Sequence, residues 1–244
     1  MKKNIAICLL FFIFMNFISC NKDEQFHKNR DKFIAHAGGK IKGYIRTNSL
    51  ESLDASYKKG FRMFELDLQM TNDGKIVAVH DPINMTEAQF LAQQIKGEFT
   101  PMNMEIINHW FENHPDAIFV TDKINNPKLL AEQFKFKDRL IMELFTWEAI
   151  YEAIELNIIP MVSPIVFWNT PNIEEKLESL NIKYIGMHQE DINRDKELLK
   201  KLKEKGFKTY VWFTSRKIDG MKSEKYIWKY NMEYCYGMYA NEII

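Results

Sequence analysis

Two carboxylates stand close together in residues 61–81, where the side chains alternate between apolar and polar. Glu65 and Asp67 are two positions apart, so on a β-strand both face one side while the neighbouring leucines face the other. On a helix the two carboxylates would point in nearly opposite directions. Only the strand interpretation therefore brings them together.

Two carboxylates on the inner face of a strand repel each other. In a partly buried site, either one of them keeps its proton or a cation lies between them. Divalent cations with oxygen ligands are the usual partners of such pairs. The alternative is the solvated face of an edge strand, and this strand alone leaves both interpretations open.

A histidine is supplied by the segment that follows this strand. Residues 71–74, Thr-Asn-Asp-Gly, predict a tight turn because Asn, Asp and Gly tolerate positive φ. Residues 76–79 predict a second apolar strand, which ends before Pro82 and brings His80 back towards the two carboxylates. A histidine at a strand end is also often structural, so its role depends on its surroundings.

The residues upstream predict a strand, a loop and a helix. A short strand over residues 33–36 ends in His36 and a glycine turn, and a loop leads to Thr-Asn-Ser at 47–49. These three polar residues predict the cap of a helix that runs to residue 59 and stops at Gly60. His36 thus stands at a strand end, as His80 does.

From residue 117 onwards strands and helices alternate. Further strands are predicted at 117–123, 139–145, 158–163, 183–188, 208–214 and 236–240, and the clearest helices at 147–156, 173–180, 196–205 and 223–230. With residues 33–36 and 63–69 this makes eight main strands, and the hairpin arm at 76–79 is extra. Eight strand–helix units predict a closed (β/α)8 TIM barrel, whose active site lies at the carboxyl ends of the strands.

The order of these elements resembles the glycerophosphodiester phosphodiesterase family, within the phosphatidylinositol-phospholipase-C-like superfamily. The resemblance rests on strand-His-x-Gly, the Thr-Asn-Ser-Leu-Glu helix start, Glu-Leu-Asp-Leu-Gln-Met-Thr-Asn-Asp-Gly and Val-His-Asp. It implies a barrel phosphodiesterase in which His36 and His80 are the acid and base. It also implies that Glu65 and Asp67 bind Mg²⁺ or Ca²⁺ with a third carboxylate, and that a glycerol hydroxyl attacks the phosphate to give a cyclic intermediate.

The third carboxylate is ambiguous, because the family usually has Glu-x-Lys where this chain has Val-Thr-Asp-Lys at 120–123. If Lys123 faces the barrel interior, Thr121 occupies the ligand position and Asp122 points outward. If Asp122 faces inward, it can bind the metal. We predict Asp122, because two carboxylates alone would hold a dication weakly. Lys123 would still reach the phosphate from the rim.

The main departure from the family is Ala37, which replaces the arginine of a His-Arg-Gly motif that contacts phosphate. Lys40, Lys42 or Arg46 in the following loop can substitute for it. Trp212 is a candidate for stacking on the substrate, although an aromatic residue in a barrel layer is also ordinary core. We interpret Glu143, Trp168 and His188 in the same way, as core or rim residues.

Composition gives an ordinary globular balance. The 244 residues are 46% hydrophobic and carry 33 basic and 33 acidic side chains, which argues against a nucleic-acid partner. Residues 32–244 predict a single domain, with a short polar insertion over the barrel mouth at about 84–113.

The amino terminus predicts export and a lipid anchor. Residues 1–19 combine two lysines with a short apolar core and a small residue before Cys20, as in a bacterial lipoprotein signal peptide. Cys20 would be acylated, and residues 20–31 would form a polar tether. The prediction is a lipid-anchored protein of the cell envelope, at the outer membrane. The alternative is an ordinary secretory signal with an incidental cysteine.

Three functions are consistent with these patterns. The leading one is a metal-dependent hydrolase that acts on glycerophosphodiesters or related phospholipid head groups. The second, which Ala37 suggests, is a non-catalytic barrel that binds a phosphoester or a glycan. The third is a lyase, similar to the sphingomyelinase D toxins, that forms a cyclic phosphate.

Overall fold

The computed structural model describes residues 30–213 and 224–243 of the chain. The signal peptide predicted at 1–19, Cys20 and most of the tether predicted at 20–31 lie outside the described residues. Within the described ranges, no helix combines the length and the apolar character needed to cross a bilayer.

Within these residues, eight parallel strands form a closed barrel, which confirms the predicted (β/α)8 fold. They are β1 (Phe33–Ala35), β2 (Met63–Met70), β4 (Ile118–Asp122), β5 (Leu140–Leu144), β6 (Ile159–Val162), β7 (Tyr184–His188), β8 (Lys208–Trp212) and β9 (Gly237–Ala240). Pairing runs from β1 through β9 down to β4 and β2, and a β1–β2 pairing closes the ring. The ninth strand, β3 (Ile76–Ala78), pairs antiparallel with β2, as the predicted hairpin arm requires.

Helices lie between the strands, and most of them cover the outside of the barrel. They are α1 (Leu50–Lys58), α2 (Glu87–Leu91), α3 (Met104–Asn113), α4 (Pro127–Gln133), α5 (Trp147–Glu155), α6 (Pro164–Trp168), α7 (Ile173–Ser179), α8 (Lys196–Glu204) and α9 (Glu224–Tyr230). Ser49 caps α1, since its hydroxyl accepts a hydrogen bond from the Ser52 N–H and Ser52 returns the contact. In α5, Ala149, Ile150 and Ala153 recur at helical spacing and are buried against the strands.

Two separate apolar clusters result from the alternation of side chains along each strand. The larger lies between the strands and the helices, and the smaller fills the barrel interior. The interior cluster consists of Ile34, Met63, Val120, Ile141, Met161, Tyr210 and Tyr239. Side chains two residues further along the same strands therefore project into the upper part of the interior.

The segment predicted as an insertion, at about 84–113, divides into two parts. Helix α3 buries Ile107, Trp110 and Phe111 in the outer core, so it serves as the barrel helix between β2 and β4. The remaining part carries α2 and is joined to the barrel by isolated bridges of Pro101 with Ser49 and of Asn103 with Val77. The segment outside the regular barrel layers is thus shorter than the sequence suggested.

Candidate active site

Three carboxylates meet at the carboxyl ends of β2 and β4. One oxygen from each of Glu65, Asp67 and Asp122 lies within 4.8 Å of the other two. The register explains this, because Asp67 is paired with Asp122 across the two parallel strands. Asp122 is two residues after Val120, which belongs to the interior cluster, so it faces inward. Thr121 therefore lies on the opposite face of the strand and does not join the carboxylates.

The loop between β1 and α1 holds two of these carboxylates in place. The Asn48 side-chain amide donates to Asp67 Oδ2 at 3.0 Å, and the Asp67 N–H donates to Asn48 Oδ1 at 3.0 Å. The Ala37 N–H donates to Glu65 Oε2 at 2.7 Å. Asn48 and Ala37 both have left-handed backbones, with φ of 48° and 47°. Sequence analysis assigned Asn48 only to a helix cap and missed this contact.

The protein alone leaves the three acids incompletely compensated. Burial is the main cause that raises the pKa of Glu65 well above its ordinary value, followed by the charges of Asp67 and Asp122. The pKa of Asp67 is also raised, mainly by burial, although the hydrogen bond from Asn48 opposes the shift. Glu65 Oε1 is buried and has no hydrogen-bond partner among the described residues. This donor set fits a hard divalent cation, which would compensate the charges and occupy the unpaired oxygen.

The two predicted histidines face the same cavity of about 200 Å³. His36 follows β1, and burial lowers its pKa to about 3, with further contributions from the positive charges of Arg46, His80 and Lys123. His80 follows β3, its side chain is 42% exposed, and its Nδ1 lies 2.8 Å from Asp81 Oδ1. One histidine is therefore held neutral inside the barrel, and the other lies at the rim beside a carboxylate.

Two basic side chains line the cavity beside the acids. Lys123 Nζ lies 3.2 Å from Asp122 Oδ2 and 4.0 Å from Asp67 Oδ1, so its positive charge lies directly beside the acid cluster. Its backbone is left-handed, with φ of 72°. Arg46, in the loop before α1, is the second basic residue of the lining.

Lys40, which was predicted to contact the substrate, is not among the residues that line the cavity. Lys40 Nζ lies 3.2 Å from Glu242 Oε1, and Lys42 pairs with Glu98 in the insertion. Both lysines thus form ion pairs with acids outside the cavity lining. Of the three loop residues considered as replacements for the family arginine at position 37, only Arg46 lines the cavity.

The opposite wall of the cavity combines aromatic residues with a further acid. Trp212, Phe213, Tyr239 and Glu143 complete the lining. Trp212 was a predicted site residue. The centroid of its ring lies 4.6 Å from the centroid of the His188 ring. Glu143 was interpreted as ordinary core. Its position two residues after the inward-facing Ile141 was the signal that it points into the upper interior.

Fold and site together define a (β/α)8-barrel protein. Its mouth carries a cluster of three acids, two histidines and two basic side chains. The model of the glycerophosphoryl diester phosphodiesterase family matches residues 37–97. Over 77 residues the chain is 31% identical to the glycerophosphodiester phosphodiesterase of Bacillus subtilis, a match that covers 32% of this chain and 26% of that protein. The chain thus matches about a quarter of that curated relative's length. These matches show that this part of the chain is similar to that family.

Solved structures show the same fold. A candidate glycerophosphodiester phosphodiesterase from Galdieria sulphuraria has a TM-score of 0.68 at 17% identity, covering 86% of this chain and 92% of that one. A glycerophosphodiester phosphodiesterase from Parabacteroides distasonis has a TM-score of 0.65 at 20% identity, with the same coverage, 86% and 92%. An Oleispira antarctica phosphodiesterase, solved with the product sn-glycerol-3-phosphate, has a TM-score of 0.65 at 17% identity, covering 86% and 92%.

Proposed function

We propose that this chain is a metal-dependent phosphodiesterase that hydrolyses glycerophosphodiesters or related phospholipid head groups. The observation that carries the proposal is the cavity at the barrel mouth, where Glu65, Asp67 and Asp122 lie together and His36 and His80 face the same space. The family match over residues 37–97 and the product bound to the Oleispira relative support this reaction class.

Glu65, Asp67 and Asp122 would hold the divalent cation, Mg²⁺ or Ca²⁺. The unpaired Glu65 Oε1 and the raised pKa values of Glu65 and Asp67 support this assignment. A bound dication would supply positive charge to a phosphoryl oxygen and lower the pKa of a bound hydroxyl. Asn48 and the Ala37 N–H keep the two β2 carboxylates oriented towards that position.

The two histidines would divide proton removal and proton donation. The lowered pKa of His36 keeps its imidazole neutral near pH 7, so His36 can accept the proton of the attacking glycerol hydroxyl. The charge of a bound diester would raise that pKa again. His80, next to Asp81 at the rim, would then protonate the leaving alkoxide. Water would open the resulting cyclic phosphate in the second step.

Lys123 and Arg46 would bind the phosphoryl oxygens that carry negative charge. Both line the cavity, and Lys123 Nζ lies 3.2 Å from Asp122 Oδ2 and 4.0 Å from Asp67 Oδ1. Arg46 can offer the bidentate contact that Ala37 cannot make. Trp212 would pack against the substrate on the opposite wall.

The experiment is turnover of glycerophosphocholine and glycerophosphoethanolamine by the purified protein, with and without EDTA. We expect release of glycerol phosphate that EDTA abolishes and that His36→Ala and His80→Ala remove. His109→Ala, which changes an exposed histidine of α3, is the matched control and should leave turnover unchanged. Absence of turnover on a broad panel of diesters would instead favour a non-catalytic binding barrel. Phosphorus NMR separates a monoester product from a persistent cyclic phosphate, the product of a lyase.

We also propose that Cys20 carries a lipid that anchors the protein to the outer membrane of the cell envelope. The chain enters the barrel at Arg30–Lys32, where the Asp31 carbonyl accepts from the Tyr210 hydroxyl near the amino ends of the strands. That face is opposite the cavity, so an anchored barrel would open away from its attachment point. Labelling with palmitate should mark the protein and fail in Cys20→Ala. Labelling that survives this substitution would contradict the anchor.

A further inference from the structure

A buried acid in the cavity is not used by the metal or phosphate contacts proposed above. Glu143 is 4% exposed and projects from β5 into the upper barrel interior. Among the described residues, its one hydrogen bond comes from the Tyr239 hydroxyl, 3.3 Å from Glu143 Oε2. It does not belong to the cluster of three carboxylates whose oxygens lie within 4.8 Å of one another. Glu143 therefore has a different role from the three predicted ligands.

Keeping a carboxyl group at this position is unfavourable for the fold. A buried polar group with incomplete hydrogen bonding destabilises the native state, and an aliphatic residue would suit the barrel core better. Burial is also the main cause that raises the pKa of Glu143 to about 8, with the charge of Asp122 as the next cause. The carboxyl group has two oxygens that can take part in hydrogen bonds, and the Tyr239 hydroxyl contacts Oε2.

A neighbouring glycine leaves the space that this side chain occupies. A Cβ atom at Gly186 on β7 would lie 2.9 Å from Glu143 Oε1 and 3.2 Å from Glu143 Oε2. Real Cβ atoms essentially never approach another atom within 3.0 Å, so a side chain at 186 would displace the Glu143 carboxyl group. Gly186 on β7 thus leaves room for the Glu143 side chain on β5 to line the cavity.

The paired groups fit an uncharged hydroxyl of the ligand. A hydroxyl can donate to one oxygen of the carboxyl group and accept from a neighbouring O–H, which matches Glu143 beside Tyr239. Burial raises the pKa of Tyr239 well above its ordinary value, so its phenol keeps its proton.

We propose that Glu143 and Tyr239 form a hydroxyl-binding subsite that recognises the terminal hydroxyl of the glycerol moiety. This inference rests on the proposed function and names the part of the substrate that the cavity selects. The attacking hydroxyl lies next to the phosphate and is handled by His36, whereas the terminal hydroxyl lies one carbon further away. Glu143 thus acts on specificity, as a substrate-positioning residue.

The experiment compares two diesters that differ only in that hydroxyl. Glycerophosphocholine carries it, and the phosphocholine diester of propane-1,2-diol lacks it but keeps the attacking hydroxyl. We expect the unsubstituted protein to prefer the glycerol diester by about 10- to 100-fold in kcat/KM, the usual range for an unpaired buried hydrogen-bonding site. Glu143→Ala should reduce this preference to about threefold or less, by lowering kcat/KM for the glycerol diester alone. Glu143→Gln, which keeps a donor and an acceptor, should retain part of the preference.

A substitution at Gly186 tests the same subsite and leaves Glu143 itself unchanged. Gly186→Ala should reduce the preference as Glu143→Ala does, because the added methyl group displaces the carboxyl group. Glu148→Gln, an exposed acid on the helix that follows β5, is the matched control and should change neither substrate. Thermal melts of each variant verify that it is folded.

Four outcomes would overturn the inference. They are equal turnover of the two diesters by the unsubstituted protein, an equal loss on both substrates in the Glu143 variants, an unchanged preference in those variants, and failure of Gly186→Ala to reduce the preference. In all four cases the phosphodiesterase activity itself stands. Absence of turnover on either diester would instead remove the proposed function, and the subsite with it.

Discussion

The two halves of the barrel interior differ sharply, although the same strands build both. The half near the amino ends is apolar and includes Met63 of β2 and Ile141 of β5. Two residues further along these strands, on the same face, stand Glu65 and Glu143. The first pair packs in a dry core, and the second pair lines an open cavity. A single step of the strand repeat therefore separates the apolar layer of the interior from the layer that lines the cavity.

The acids at the two ends of the barrel also differ in how completely their charges and hydrogen bonds are paired. At the amino-end face, Asp31 is compensated by Lys208 at 3.4 Å and by a hydrogen bond from the Tyr236 hydroxyl. At the mouth, Glu65 keeps an oxygen with no hydrogen-bond partner in the part of the chain that the structure describes. This contrast shows that the fold can pair its charges where only stability is required. At the mouth, the carboxylates of Glu65 and Asp67 are incompletely compensated, which suits the binding of a positively charged ligand.

The largest effect is expected from removing the neutral histidine at the mouth. His36→Ala should lower kcat/KM for glycerophosphocholine by about 10²- to 10⁴-fold, the contribution typical of a general base. Its thermal midpoint should change little, because His36 lies in the cavity wall outside the interior apolar cluster. Steady-state kinetics and a thermal melt of the same preparation test this. Activity within a few-fold of the unsubstituted protein would remove His36 from the mechanism.

The next prediction compares two neighbours on one face of β2. Met63→Ala should reduce the free energy of unfolding by about 2–5 kcal/mol, because it leaves a cavity in the dry half of the interior. Glu65→Gln should instead increase it by about 1–3 kcal/mol in EDTA, since it removes a buried charge conflict. Urea unfolding of both variants in EDTA measures this difference. Destabilisation by Glu65→Gln would contradict the two-layer interpretation.

A smaller effect is expected from pH. The pKa of Glu143 rises from 4.5 in the unfolded chain to about 8 in the fold, so over this range the native protein holds a proton that the unfolded chain has lost. Stability should therefore decrease as pH rises, by about 1–2 kcal/mol between pH 6.5 and 8, and then level off. The lowered pKa of His36 acts in the opposite direction only below its ordinary value of 6.5.

Urea unfolding in EDTA at several pH values, compared with Glu143→Gln, isolates this contribution. The variant should lack the share of the slope that Glu143 supplies. Identical pH profiles for the two proteins would show that Glu143 has the same affinity for protons in the native and unfolded states.

The smallest effect is expected outside the cavity. Lys40→Ala should leave KM within about twofold and stability within about 1 kcal/mol, because its contact with Glu242 is an exposed ion pair. Arg46→Ala, in the same loop but in the cavity lining, should raise KM about tenfold through the loss of a phosphate contact. Substrate titrations of the two variants distinguish the residues. A similar rise in KM for both variants would indicate that Lys40 also contacts the substrate.

Much of the fold was predictable because it depends on neighbours in the chain. The alternation at Glu65 and Asp67, the cap at Ser49 and the eight strand segments are all local patterns, and the structure has each of them. The extent of the insertion was predicted less well, because helix α3 carries an apolar face of the kind that any barrel helix has. Whether such a helix lies over the mouth or against the barrel depends on the strands around it.

The sequence by itself determined the fold class and the segments that carry Glu65, Asp67, His36 and His80, since backbone periodicity and turn chemistry act over a few residues. Only the tertiary structure decided that Asp122 faces inward, that Glu143 joins the cavity and that Lys40 does not. These outcomes depend on how β4, β5 and the closing strands are placed around the ring. Barrel closure sets which layer each inward side chain enters, and that is a property of all the strands together.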